Sequence, residues 1–217
     1  MGYPTPMPQT YNKTMPAPHE AIQRLTAGNL RFQAHGGTAT RHAWSPDLAN
    51  EGQTPFAVVL GCSDSRTPVE ILFDQGFGEL FVVRVAGNVV APSIVGSVEF
   101  AVSQFGTRRV VVLGHTRCGA ISATVQAIAS GSPHESRNIQ AITDRIAPHI
   151  HELVEGSSEG RHANSEFVRQ AMHANVRASV AHLRHGSRLL EELRLSGQID
   201  IVGAEYQIET GRVTFFD

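Results

Sequence analysis

Two short apolar runs, each closing on glycine and then on metal-seeking side chains, constrain this chain more than any other feature. Phe56-Ala57-Val58-Val59-Leu60-Gly61 leads into Cys62-Ser63-Asp64-Ser65-Arg66, and Val110-Val111-Val112-Leu113-Gly114 leads into His115-Thr116-Arg117-Cys118. Both runs are rich in β-branched residues and carry no charge, the pattern of a strand buried on both faces. An open parallel sheet binds its ligands at the carboxyl ends of its strands. Two thiols, an imidazole and a carboxylate are thereby expected at one sheet edge. Thiolate sulfur, imidazole nitrogen and carboxylate oxygen are donors that zinc accepts, so zinc is the expected ion.

The segments around these runs alternate in the same sense. Strands are predicted at 56–61, 80–85, 109–114 and 199–206, with a hairpin into 213–216 at a sheet edge. Between them, apolar residues at 94, 95, 98, 101, 102 and 105 repeat with a helical period, and Gly106 stands where a helix ends. Further helices are predicted at 19–25 with Gly28 near the end, at 67–75 as a short piece, and at 119–129, 139–154, 165–185 and 187–195. Residues 38–55 and 156–160 read as loops. Strands alternating with helices imply an α/β fold: one domain with a mostly parallel sheet, four parallel strands plus an edge strand, and helices on both faces. Residues 1–18, with Pro4, Pro6, Pro8, Pro16 and Pro18, read as an extended arm before a zinc domain at 19–217.

Composition narrows the function. A formal net charge of −2 gives no electrostatic footprint for nucleic acid or an anionic membrane. No apolar segment approaches the length of a membrane span, and the first residues hold no apolar signal core, so the cytoplasm is expected. Only two cysteines occur, 56 positions apart. A reducing compartment argues against a disulfide between them, and the spacing excludes a CxxC redox pair.

Cys-Ser-Asp-Ser-Arg after one strand and His-x-x-Cys after another, separated by a strand–helix unit, closely resemble the β-class carbonic anhydrases. The resemblance runs from Ala21 through Tyr206 and includes Gly28-Asn29-Leu30-Arg31-Phe32 and Arg84-Val85-Ala86-Gly87-Asn88. It implies one zinc ion per chain held by Cys62, His115 and Cys118, with Asp64 as a conditional fourth ligand and Arg66 as its partner. It also implies substrate contacts from Gln53, Phe81, Phe100 and Gly119. Gln53 stands where plant-type members place a glutamine that hydrogen-bonds substrate. Phe81 stands where they have a pocket phenylalanine, often presented across a dimer interface, and Phe100 where they commonly have tyrosine. Bacterial members with an inhibitory bicarbonate site have tryptophan three residues before the first ligand. Here that residue is Val59, so the plant-like subgroup is expected. The family pairs chains around the site, which implies a homodimer or a dimer of dimers (a homotetramer).

The chemistry agrees with the residue types. Hydration of carbon dioxide to bicarbonate needs hydroxide at neutral pH, and zinc lowers the pKa of bound water from about 15.7 to about 7. Four protein ligands make a closed site, whereas three leave room for solvent. Arg66 can offer Asp64 a competing bidentate contact that opens the fourth position, Asp64 binding zinc at low pH and Arg66 at higher pH. Two thiolates offset the metal's charge and favour alkaline activity.

Alternatives stay open at this point. Carbonyl sulfide and carbon disulfide hydrolases use the same fold and ligands. A non-catalytic zinc-stabilised scaffold is the reading from another class, although it gives no reason for Asp64, Arg66 and Gln53 to be present. A Walker loop would need a lysine and another glycine spacing, and a cysteine phosphatase would need arginine where Pro68 stands. The two phenylalanines could be ordinary core, and Gln53 merely solvated. His149, His151, His182 and His185 lack a cysteine or carboxylate in register and read as exposed helix histidines. Arg117 is placed either to neutralise the dithiolate or to stand exposed.

Overall fold

The computed structural model describes residues 15–36, 45–132, 134–156 and 164–217. Most of the expected N-terminal arm and parts of the two expected loops lie outside these residues. The elements run α1 (Pro18–His35), α2 (Leu48–Glu51), β1 (Ala57–Gly61), α3 (Val69–Leu72), β2 (Leu80–Arg84), a 3-10 turn (Ala86–Asn88), α4 (Pro92–Phe105), β3 (Arg109–His115), α5 (Gly119–Ser130), α6 (Arg137–Glu155), α7 (Ser165–His185), α8 (Arg188–Leu195), β4 (Asp200–Tyr206) and β5 (Val213–Phe216). The strands form one sheet in the order β2-β1-β3-β4-β5. The first four are parallel, and β5 pairs antiparallel with β4 at the edge. This is the expected α/β sheet.

Strand alternation divides the core in two. Val58, Leu60, Val110, Val112 and Ile201 face the layer holding Val98, Ile121, Ile146, Met172 and Leu190, from helices α4 to α8. Ala57, Val59, Val111, Leu113 and Val202 face Ala21 and Leu25 of α1 and Val69 and Leu72 of α3. Every residue of β1 and β3 is buried, as the uncharged apolar runs at their centres require between two helical layers, and the buried Arg109 that opens β3 is paired with Asp200. The helix ends obey capping chemistry: Asn164 and Ser187 accept the amides of Phe167 and Leu190, and Gly106 closes α4 in the left-handed region.

Two expectations are corrected. Gly28 does not end the first helix, which continues to His35 and closes on Gly36 at φ 60°. Gly28 serves packing instead: a Cβ there would overlap the carbonyl of Phe73, so its absence lets α1 lie against the chain leaving α3. Within the expected loop at 38–55, residues Leu48–Glu51 form a single helical turn.

Candidate metal centre

Parallel pairing puts the ends of β1 and β3 side by side, with Gly61 opposite Leu113. Cys62 follows β1 directly, His115 is the last residue of β3, and Cys118 is the N-cap of α5. Their ligand atoms all lie within 4.8 Å of one another, and all three side chains are buried. Both cysteines are free.

The donor set fits a zinc-type cation on three observations. His115 Nδ1 lies 2.9 Å from the carbonyl of Thr116, and a carbonyl can only accept, so that nitrogen carries the proton. Its Nε2 is buried with no hydrogen-bond partner and presents a lone pair to the two sulfurs. Such an orphan is what an imidazole ligand leaves when its other nitrogen is fixed by a backbone acceptor. The two thiols lie within 4.8 Å of each other and of the imidazole, close enough to titrate as a pair. A hydrogen bond from Cys118 pushes the Cys62 thiol down to about 4; burial opposes this, while His115 and the backbone at Asp64 and Gly87 assist it. Cys118 is pushed up by that same bond and by burial. A cation is a natural partner for a thiolate favoured in this way.

Asp64 is turned toward arginine. Arg66 Nε donates to Oδ1 at 2.9 Å and Nη2 to Oδ2 at 2.7 Å, while the Arg66 amide donates to Oδ1 at 2.9 Å. These bonds hold the Asp64 carboxyl well below the usual carboxylate range. Arg84 braces the same turn, its Nε donating to the carbonyl of Cys62 at 2.9 Å and its Nη2 to that of Asp64 at 2.6 Å. Thr67 Oγ1 donates to those two carbonyls as well. Sequence reasoning missed these braces; Arg84, a charged residue ending an otherwise apolar strand, was the signal available.

The second ligand turn is tied to the hairpin beyond β4. Thr116 Oγ1 donates to Glu209 Oε2 at 2.7 Å and Arg117 Nε to Glu209 Oε1 at 2.6 Å. Arg117, at φ 55°, is thus an exposed ion-pair partner of Glu209 rather than a neutraliser of the sulfurs. Glu209 is pushed down to about 2, first by Arg117 and then by Thr116.

The remaining expected site residues are divided. Gly119 begins α5 beside Cys118, with open space where a Cβ would stand. Gln53 precedes β1 and packs on Gly78, while Thr54 bonds the Gly78 carbonyl at the amino ends of the strands. Phe81 pairs in register with Val58, also toward those amino ends. Phe81, Phe100 and Phe105 form an aromatic cluster with centroids 5.8–6.2 Å apart, and Phe100 is 52% exposed. Within one chain, Gln53, Phe81 and Phe100 therefore lie away from Cys62, which sits at the carboxyl ends. The four helix histidines are exposed as expected, with His149 and His182 lining a cleft of about 600 Å³ between α4, α6 and α7.

Comparison with known proteins places this arrangement. The carbonic anhydrase family model matches residues 57–213. The chain is 36% identical over 204 residues to carbonic anhydrase 2 of Mycobacterium tuberculosis, covering 92% of this chain and 93% of that one. It is 38% identical over 200 residues to the carbonic anhydrase of Mycolicibacterium smegmatis, covering 90% and 92%. In fold it resembles a tetrameric β-carbonic anhydrase of Sordaria macrospora, with TM-score 0.66, 21% identity and 91% and 95% of the two chains covered. The Coccomyxa β-carbonic anhydrase is similar at TM-score 0.65, 21% identity, with 90% and 83% covered. Two strand ends that bring cysteine and histidine together, the family model across most of the chain and relatives matched over nearly their full length agree: this chain belongs to the β-class carbonic anhydrases.

Proposed function

We propose that this carbonic anhydrase hydrates carbon dioxide reversibly to bicarbonate and a proton, with Cys62, His115 and Cys118 holding one zinc ion and the Asp64–Arg66 pair gating the fourth coordination position. The observation that carries the reading is the unpartnered His115 Nε2 facing two free, buried thiols. A zinc ion held there supplies the Lewis acidity that makes water a nucleophile near neutral pH. The chain's own groups do the rest. Arg66 keeps Asp64 ionised and occupied on both oxygens, so three protein donors remain for the metal. The Asp64 oxygens keep lone pairs free to orient solvent at the open position or to accept its proton. This pairing supports the less readily closed, plant-like subgroup.

We also propose that residues 19–217 act as the zinc domain behind the 1–18 arm, and that the chain assembles as a homodimer or a dimer of dimers. Support comes from β2, an edge strand, and from Phe77 and Phe100, which are 54% and 52% exposed beside it. A second copy is the means by which Gln53, Phe81 and Phe100 could meet a metal centre. Among the described residues no helix is long and apolar enough to cross a membrane.

The test is Asp64→Asn assayed for zinc content and carbon dioxide hydration together. Retained zinc with turnover lowered about 100-fold or more is expected, the scale of a lost proton acceptor. Unimpaired turnover would remove Asp64 from the mechanism. One equivalent of zinc is expected in the parent chain, and none in Cys62→Ser.

A further inference from the structure

Helix α7 supplies none of the candidate ligands, yet it braces the backbone around them. Asn175, 1% exposed, donates from Nδ2 to the carbonyl of Gly87 at 2.8 Å. Ser179, one turn on, donates to the carbonyl of Asn88 at 3.3 Å. These two carbonyls belong to the 3-10 turn Ala86–Asn88, whose Gly87 amide donates to Cys62 Sγ at 3.4 Å. The turn cannot relax freely: Gly87 sits at φ 67°, and a Cβ on it would lie 2.9 Å from Ile146 Cδ1 and 3.1 Å from Ala120 Cβ. Beside the second ligand strand, Gly114 has no Cβ, and Met172 and Val176 of α7 occupy the space one would take.

From this geometry we infer that Asn175 is a positioning residue for the metal centre, acting through Gly87 to aim an N–H at the Cys62 sulfur. The inference rests on the proposed metal role of Cys62. A backbone amide bonded to a thiolate withdraws electron density from the sulfur and fixes its direction, and such outer partners typically govern metal affinity about 10- to 100-fold. Asn is suited to the position because its short amide donates from a buried helix face without adding charge. The sequence motifs assign Asn175 nothing, since it lies 57 residues beyond Cys118 in an otherwise ordinary amphipathic helix.

The experiment uses the full chain loaded with zinc(II) or cobalt(II). Zinc affinity is measured by competition with a chromophoric chelator, and the thiolate-to-cobalt charge-transfer band by absorption. Asn175→Leu keeps the volume but removes the donor. It is expected to bind zinc about 10- to 100-fold more weakly and to shift the band to longer wavelength, because a thiolate without its N–H partner is the more readily ionised. Leu183→Ala, in the same helix two turns on and fully buried, is the control: it lowers the melting temperature and leaves band and affinity unchanged. If Asn175→Leu does not fold, Asn175→Ser carries the same expectation, its hydroxyl being too short to span the bond. A folded Asn175 variant with parental band and affinity overturns the inference while leaving the zinc reading intact. Absence of any thiolate-to-cobalt band in the parent chain overturns both.

Discussion

Arg66 grips both oxygens of Asp64 from two residues further along the same turn, at 2.9 and 2.7 Å. Guanidinium geometry makes this possible: two parallel N–H groups match a carboxylate edge, and a lysine has no such fork. Arg66→Lys is therefore not a conservative change here. We expect Arg66→Lys and Arg66→Ala each to lower carbon dioxide hydration at neutral pH about 10- to 100-fold, the usual effect of losing an outer partner, with zinc content held near one equivalent. Stopped-flow hydration beside metal analysis checks this. Parental activity in both variants would mean that the pair does not hold Asp64 away from the metal.

Gly28 supplies a prediction in which two rules oppose each other. Helix propensity alone says that Gly28→Ala should stabilise α1 by about 1 kcal/mol. Packing says the reverse, because the new methyl would overlap the Phe73 carbonyl, which is backbone and cannot rotate aside. Overpacking of this kind costs about 3 kcal/mol, so the melting temperature should fall by roughly 6–12 °C for a chain of this length. Thermal unfolding by circular dichroism decides between the two signs.

The same glycine marks the boundary of what was legible in the residues. The strands were readable because the runs Ala57–Gly61 of β1 and 110–114 of β3 are uncharged, rich in valine and buried on both faces, so their sequence and their environment agree. The candidate ligands stood out because they sit within four residues of those strand ends. Gly28 was misplaced as a stop signal because a helix interior accepts glycine only for a tertiary reason, here the approach of Phe73, which local pattern does not encode. Asn175, Glu209 and Arg84 share that difficulty: each acts on a turn that lies 20 or more residues away, through a bond that only the assembled sheet creates. Gln53 and Phe81 show the converse case. Family resemblance picks them out, yet the register places them at the amino ends of strands whose carboxyl ends carry the cysteines.

Glu205 gives a pH dependence of stability its clearest structural origin away from the candidate metal centre. Its side chain is buried on β4, with Arg169 Nη2 at 2.8 Å and His173 Nε2 at 3.3 Å. Burial alone would raise its pKa, but the Arg169 bonds and His173 outweigh burial and lower it below the ordinary glutamate value of 4.5. A depressed carboxyl pKa stabilises the fold above the unfolded-state value, and that stability is lost as pH falls through the folded-state value. Stability should therefore decline below pH 4.5. Glu205→Gln should flatten that acid limb and cost about 1–2 kcal/mol at pH 7, toward the low end for a charged hydrogen bond because Arg169 reaches solvent. Urea unfolding of both proteins from pH 7 to pH 3 measures it; parallel curves would place the acid sensitivity elsewhere.

Metal removal separates a catalytic site from a folding staple. In a zinc finger the ion is the core, and the apo chain is unfolded. Here the candidate ligands sit at the rim of a sheet whose two faces are already filled, one by Val58, Leu60, Val110 and Val112, the other by Val59, Val111 and Leu113. The chain should stay folded without metal and lose only the binding contribution, about 4 kcal/mol when free zinc stands a thousandfold above its dissociation constant. For this length, that corresponds to a melting temperature lower by roughly 8–16 °C, with the transition still cooperative and fully restored by added zinc. Calorimetry before and after dialysis against a chelator reads both quantities. A chain that unfolds at room temperature on chelation would show that the ion carries the fold, and one whose melting temperature does not move would show that Cys62, His115 and Cys118 bind no metal at all.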